Sequence, residues 1–281
     1  VGSEMCIRDS LYVNLKRFDI SPRRGGVNRL APMDQWAATI IRQVESGFTF
    51  TSQTDVTFFF PEAHLIPAVA AAKKIHVGAQ GVLGLDTEAG GNFGAFTTSL
   101  TANAAVELGC RAVMIGHGEQ RAKERALLEA AGVEAEDAIS RTLNKEVLAA
   151  QKAGLDVLFC IGESAAQRPK WQSVLQTQLE IGLAGADLKK VVIAYEPLWS
   201  IGPGKIPASP DEIREAAVKI KQVIPVPVVY GGGLKKTNAA AIARIAQIDG
   251  GLIALTRFEG EIGFYPDEFL EIMQDYQEAR K

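Results

Sequence analysis

The chain has 281 residues, a formal net charge of -3 and 47% hydrophobic residues, ample for one large core. That balance excludes the basic face expected of a nucleic-acid binder, and no apolar run approaches the ~20 residues that cross a bilayer. Cys6, Cys110 and Cys160 are too few for a disulfide framework, and His64, His76 and His117 are scattered with no metal-ligand spacing, so neither disulfides nor zinc are expected.

The first ten residues read as foreign. Met5-Cys6-Ile7-Arg8-Asp9-Ser10 is what a transposon end used in preparing sequencing libraries would encode. Residues 1–10 are therefore expected to be a non-native leader and residues 11–281 the folded domain. From there, short apolar, β-branched or aromatic runs recur at 11–14, 55–60, 75–79, 111–115, 156–161, 190–195, 226–230 and 251–255. Amphipathic stretches separate them. Trp36–Val44 has a helical period, and Pro67–Ala72 opens with a proline suited to a first turn. Ser209-Pro210 caps a helix expected over 211–223, and a last helix fits 266–279. Cys110 and Cys160 lie in or beside apolar runs and are expected to be buried thiols of a reducing, cytoplasmic setting.

Eight strand–helix pairs without a linker predict a single-domain α/β fold, a parallel (β/α)8 barrel. The rival, a doubly wound open sheet, lacks Gly-x-Gly-x-x-Gly after the first run. In such a barrel, function gathers at the C-terminal ends of the strands. Run one exits into Asn14-Leu15-Lys16, and run four into Gly116-His117-Gly118-Glu119-Gln120-Arg121. There a helix N-terminus would disfavour a charged imidazole. Run six exits into Glu196, followed at once by a loop punctuated by Pro197, Gly202, Pro203 and Gly204. A carboxylate stripped of water by a closing loop is a better proton acceptor. Run seven exits into Tyr230-Gly231-Gly232-Gly233, which lets a phosphate approach backbone N–H groups. Each feature alone has a bland reading as surface charge, cap or tight turn. Their common place at strand exits favours a site.

These motifs resemble the triosephosphate isomerase family over residues 11–280. Asn14 and Lys16 match its Asn-x-Lys, and Gly116, His117, Glu119 and Arg121 match its Gly-His-x-Glu-x-Arg. Residues 194–205 match its strand-six motif throughout, and Tyr230–Gly232 its Tyr-Gly-Gly. The resemblance implies a TIM barrel that isomerises a small phosphorylated sugar without cofactor or metal. Glu196 would move the carbon-bound proton, His117 would polarise the carbonyl, and Lys16 would supply positive charge with Asn14 orienting it. Phosphate would be held by Lys16, the Gly202 amide and the residues at Gly233, Ala254, Leu255 and Arg257. Gly94-Ala95-Phe96-Thr97 corresponds to the loop inserted into a homodimer partner.

Four departures stand out. Gly233 replaces a usual Ser. Ala254 and Leu255 replace two glycines after strand eight, where a side chain hinders close backbone approach and Arg257 offers a charged substitute. Ser99 and Gln120 replace a Glu and an Arg that pair across the dimer, and the segment Arg17–Pro32 is longer than usual. The proton-transfer residues are intact while the periphery differs. The expected reaction is interconversion of glyceraldehyde 3-phosphate and dihydroxyacetone phosphate, with a four-carbon tetrulose phosphate as the alternative. A Schiff-base aldolase through Lys16 and a non-catalytic phosphate-ester-binding barrel are weaker readings.

Overall fold

All eight predicted runs are strands of one closed parallel barrel in the computed structural model, which describes residues 9–51, 54–133, 135–202 and 204–281. In chain order they are β1 (Asp9–Asn14), β2 (Thr54–Phe60), β3 (His76–Ala79), β4 (Ala112–Ile115), β5 (Asp156–Ile161), β6 (Val191–Tyr195), β7 (Val228–Tyr230) and β8 (Gly250–Ile253). Each pairs with the next, and Ser10 opposite Gly250 closes the ring. The helices are α1 (Met33–Gly47), α2 (Leu65–Ala71), α3 (Ala102–Glu107), α4 (Gly118–Ala130), α5 (Glu136–Ala153), α6 (Trp171–Gly182), α7 (Pro210–Val223), α8 (Ala239–Ala243) and α9 (Pro266–Arg280).

Strand side chains alternate between two faces, and both faces are apolar because helices cover the outside. Phe59, Met114, Leu158, Cys160, Ala194, Val229 and Leu252 fill the barrel interior, with Tyr12 and Val192 packed against them. The opposite parity, including Val13, Phe58, Val113, Phe159, Ile193 and Val228, meets the helices. On α1 the spacing of Trp36, Ile40, Ile41 and Val44 makes the stripe that buries against this outer layer. The expected cap of α7 is a full capping box: Ser209 Oγ accepts from Glu212 N–H, and the Glu212 carboxylate accepts from Ser209 N–H. Such a cap contributes about 1 kcal/mol.

Three strand boundaries differ from the sequence expectation by two residues. β7 starts at Val228 rather than 226, because Pro225 and Pro227 have no N–H for a ladder. β8 ends at Ile253 because Thr256 and Arg257 donate instead to the Gly263 carbonyl, forming a small hairpin. β1 starts at Asp9, so Asp9 and Ser10 of the expected leader pair with Thr54 and Asp55, and Asp9 also meets Arg280 at 3.0 Å. Residues 1–8 of that leader, with Cys6, lie outside the described residues. Cys110 and Cys160 are free thiols, both buried. Among the described residues no helix is long and apolar enough to cross a membrane.

Candidate active site

Parity and strand ends together assemble the mouth of the barrel. Tyr12 points inward, so Asn14, two residues on at the end of β1, shares its face, and Lys16 follows in the turn just beyond. Val192 and Ala194 likewise put Glu196 on the inner face beyond β6. Gly162 permits the close packing there, since a Cβ at that position would collide with the Glu196 carbonyl.

The residues expected to move protons form one continuous set of contacts. His117 Nε2 lies 3.1 Å from Glu196 Oε1, and Gly118 N–H donates to Glu196 Oε2 at 3.0 Å. His117 also caps α4, its Nδ1 accepting from Glu119 N–H at 3.3 Å. Lys16 Nζ reaches Glu119 Oε1 at 3.2 Å. The carboxylate of Glu196, only 4% exposed, therefore rests at the positive end of α4. A neutral ring capped in this way carries its proton on Nε2, toward Glu196.

Glu196 adds to the expected surroundings of His117 a neighbour that acts against the helix N-terminus. Burial and, more weakly, Lys16 push the imidazole pKa down, but the Glu196 carboxylate pulls it up by charge and hydrogen bond, and the net direction is upward. Glu196 against the ring thus outweighs the influences that lower its pKa.

Lys16 has φ 44, the left-handed region that costs a non-glycine residue about 1 kcal/mol. Two side chains offset that strain. Asn14 Oδ1 accepts from Lys16 N–H at 3.0 Å, and Gln80 Nε2 donates to Asn14 Oδ1 at 3.1 Å and to the Lys16 carbonyl at 3.2 Å. Gln80 stands at the exit of β3 and was not singled out from sequence. Neither was Glu163, at the exit of β5 and wholly buried. Its Oε1 accepts from Tyr195 OH at 3.1 Å, Trp199 Nε1 at 2.8 Å and Arg168 NH1 at 3.0 Å, anchoring the start of the loop behind Glu196. Both follow apolar strands, and that position is the one signal the sequence carries for them. Arg121, 3% exposed, donates Nε to the Gly116 carbonyl and NH2 to the Cys160 carbonyl, both at 2.9 Å. It ties the exits of β4 and β5 together.

Apart from Lys16, the residues expected to hold phosphate follow β6, β7 and β8. Gly202 is exposed with φ 118, Ile206 in the same loop is 83% exposed, and Pro203 lies outside the described residues. An apolar side chain in solvent suits a lid in its open position. Gly231 packs against Glu196, with a Cβ there falling 2.9 Å from Glu196 Cγ. Gly233 has φ 94, and Ala254 and Leu255 lead out of β8 half-buried. Arg257 gives Nε and NH2 to Glu268 Oε1 at 2.8 and 2.7 Å and stacks 3.9 Å from the Tyr265 ring centroid. Its guanidinium is thus engaged with α9. Gln120 turns inward: its Oε1 accepts from Gly116 N–H at 2.8 Å and its Nε2 contacts Glu146 at 2.8 and 3.0 Å. The Gly94–Thr97 tip is stiffened by Asn92 Oδ1, which accepts from Gly94 N–H at 2.9 Å and Ala95 N–H at 3.1 Å. Beside it Phe93 is 90% exposed.

A family model described as triosephosphate isomerase matches residues 31–275. A protein of that name from Geobacter metallireducens is 38% identical over 175 residues, which span 57% of this chain and 64% of that relative. Another from Halorhodospira halophila is 34% identical over 226 residues, 73% of this chain and 81% of the relative. The crystal structure of triosephosphate isomerase from Bartonella henselae superposes with a TM-score of 0.71 at 25% identity, covering 96% of this chain and 99% of that one.

Proposed function

The chain belongs to the triosephosphate isomerase family, and from that premise we propose that it interconverts glyceraldehyde 3-phosphate and dihydroxyacetone phosphate through an enediolate. The carrying observation is the 3.1 Å contact between His117 Nε2 and Glu196 Oε1 at a mouth that Lys16 and Asn14 also line. The division of labour is the one familiar from this family. Glu196 takes a proton from the carbon beside the carbonyl and returns it to the neighbouring carbon. His117 donates from Nε2 to the carbonyl oxygen and moves a proton between the two oxygens. Lys16 faces the negative charge that develops, and Asn14, held by Gln80, fixes the backbone from which Lys16 projects.

The carboxylate is parked in the resting arrangement, since His117 and Gly118 N–H occupy one oxygen each. To reach substrate it leaves the end of α4, and the lid that begins at Pro197 provides the motion. Departure of Glu196 removes the largest influence that raises the His117 pKa, leaving burial, the cap on Nδ1 and Lys16 against the weaker pull of Glu119. Closure places the Gly202 amide on the phosphate, opposite the amides around Gly233, Ala254 and Leu255, and excludes water from the enediolate.

The working unit in this reading is a homodimer joined through Gly94–Thr97, supported by the stiff, exposed tip beside Phe93. Gln120 takes no part in a charged bridge there. The setting is reducing and cytoplasmic, in keeping with the buried thiols; burial pushes Cys110 up to about 12. A coupled assay with glyceraldehyde 3-phosphate and with a four-carbon tetrulose phosphate tests the reading. Turnover with a preference for the triose is expected, and folded protein inert toward both would refute it.

A further inference from the structure

The exits of β7 and β8 carry three cations, and two are paired. Lys236 meets Glu271 at 2.7 Å and Arg257 meets Glu268 at 2.7 Å. Lys235 has no acidic partner among the described residues. Its ammonium lies 4.0 Å from the centroid of the Phe258 ring, in the hairpin that follows β8, and its Cε lies 3.8 Å from where a Cβ on Gly233 would be. The stem thus crosses the surface of Gly233 and spans the gap between the two strand exits.

This placement is built into the loop. Asn238 Oδ1 accepts from Lys235 N–H at 2.7 Å, and Asn238 Nδ2 donates to the Gly233 carbonyl at 3.1 Å, so one side chain closes residues 233–238 into a turn. Because Gly233 lacks a side chain, nothing of its own fills the space beneath the lysine stem. The rim beside it has Ala254 and Leu255 at the start of the post-β8 loop, whose side chains hinder the closest backbone approach. The loops after the seventh and eighth strands are where barrels of this class bind phosphate.

We infer that Lys235 is a phosphate-binding side chain, supplying to the substrate's phosphoryl group a charge-assisted contact at the rebuilt β7–β8 rim. The inference rests on the isomerase reading for the location of the phosphate. Phe258 acts as a rest for the ammonium, because an exposed cation–π contact is weaker than a charge-assisted contact to a phosphate dianion. The cation therefore waits over the ring and moves to the phosphate when one arrives. Lysine suits this as a compact charge on a flexible stem, whereas the forked Arg257 is held by Glu268.

The test compares the full chain with Lys235→Met, which keeps the stem, and Lys235→Arg, which keeps the charge. Inorganic phosphate is titrated by calorimetry, and steady-state kinetics are run on glyceraldehyde 3-phosphate and on unphosphorylated glyceraldehyde. Lys235→Met should weaken phosphate binding and raise KM for the phosphorylated substrate roughly tenfold, with kcat changed less than about threefold. Turnover of glyceraldehyde should stay unchanged, and Lys235→Arg should recover most of the loss. A merely structural lysine would affect both substrates alike, and that pattern overturns the inference. So does equal phosphate affinity in wild type and Lys235→Met. If wild type isomerises neither sugar, the isomerase reading fails, and the calorimetric comparison still decides the role of Lys235.

Discussion

The two sides of the barrel mouth are built by different means. At the exits of β1, β3, β4 and β6, side chains hold one another at about 3 Å: Gln80 on Asn14, Lys16 on Glu119, His117 on Glu196. At the exits of β7 and β8 and in the lid, function falls to backbone amides and loops, and the turns themselves are held by Asn238 and Glu268. A group that moves a proton must be placed within a fraction of an ångström. A phosphate can be gripped by several alternative donors. Of the sequence departures, Gly233, Ala254, Leu255 and Arg257 lie on the second side, while Gln120 and the longer Arg17–Pro32 segment border the first without replacing a residue that moves protons.

Substitutions that break the first side should have the largest effects. Glu196→Gln keeps the shape but loses the base, and kcat should fall on the order of 10³–10⁴-fold with the melting temperature nearly unchanged. Steady-state assay alongside a thermal melt checks this, and a fall under tenfold would remove Glu196 from the base role. Gln80→Leu leaves the left-handed Lys16 supported by Asn14 alone. We expect kcat to drop roughly 10- to 100-fold while KM rises little, since Lys16 is displaced rather than removed. An unchanged kcat would show that Asn14 suffices.

A stability effect follows behind the same side. Glu146 is 8% exposed, and its pKa is pushed up to about 7 by burial foremost, with Glu124 adding to the shift and Gln120 opposing it. The folded protein keeps this proton in a range where the unfolded chain has released it. Its favourable contribution is thus complete below about pH 4.5 and is lost as pH rises through about 7, a change on the order of 3 kcal/mol. Glu146→Gln should flatten that slope and raise stability at pH 8, as measured by urea melts between pH 5 and 8. Parallel slopes in both proteins would contradict it. The smallest effect belongs to the second side: Arg257→Ala should change KM for the triose phosphate less than about threefold, because its guanidinium is already engaged by Glu268. A larger rise would show that Arg257 leaves Glu268 for the substrate.

The same contrast explains what was legible in the chain. Asn14, Lys16, His117 and Glu196 each end or follow an apolar run, and period-two parity carries Asn14 and Glu196 to the inner face, while Lys16 and His117 reach the mouth through the turn after β1 and the cap of α4. Gln80 and Glu163 do so as well, yet nothing local marks them. Their roles appear only when the closed barrel sets β3 beside β1 by way of β2, and β5 beside β6. The prolines that shorten β7 were visible, but their effect depends on which N–H groups the ladder needs. The post-β8 hairpin was not legible, because it is organised by Glu268 twelve residues beyond Thr256. Lys235 escaped notice for a similar reason, since its meaning depends on a ring from the next strand exit.

The central claim is that Glu196 and His117 act together on one small ligand. Its most direct test is proton exchange at carbon, with dihydroxyacetone phosphate incubated with enzyme in D2O and followed by NMR. Wild type should place one deuterium on the carbon that loses its proton, and Glu196→Gln should do so at least about 10³-fold more slowly. Exchange that proceeds equally fast in both proteins, or that is absent from folded wild type, would contradict the account.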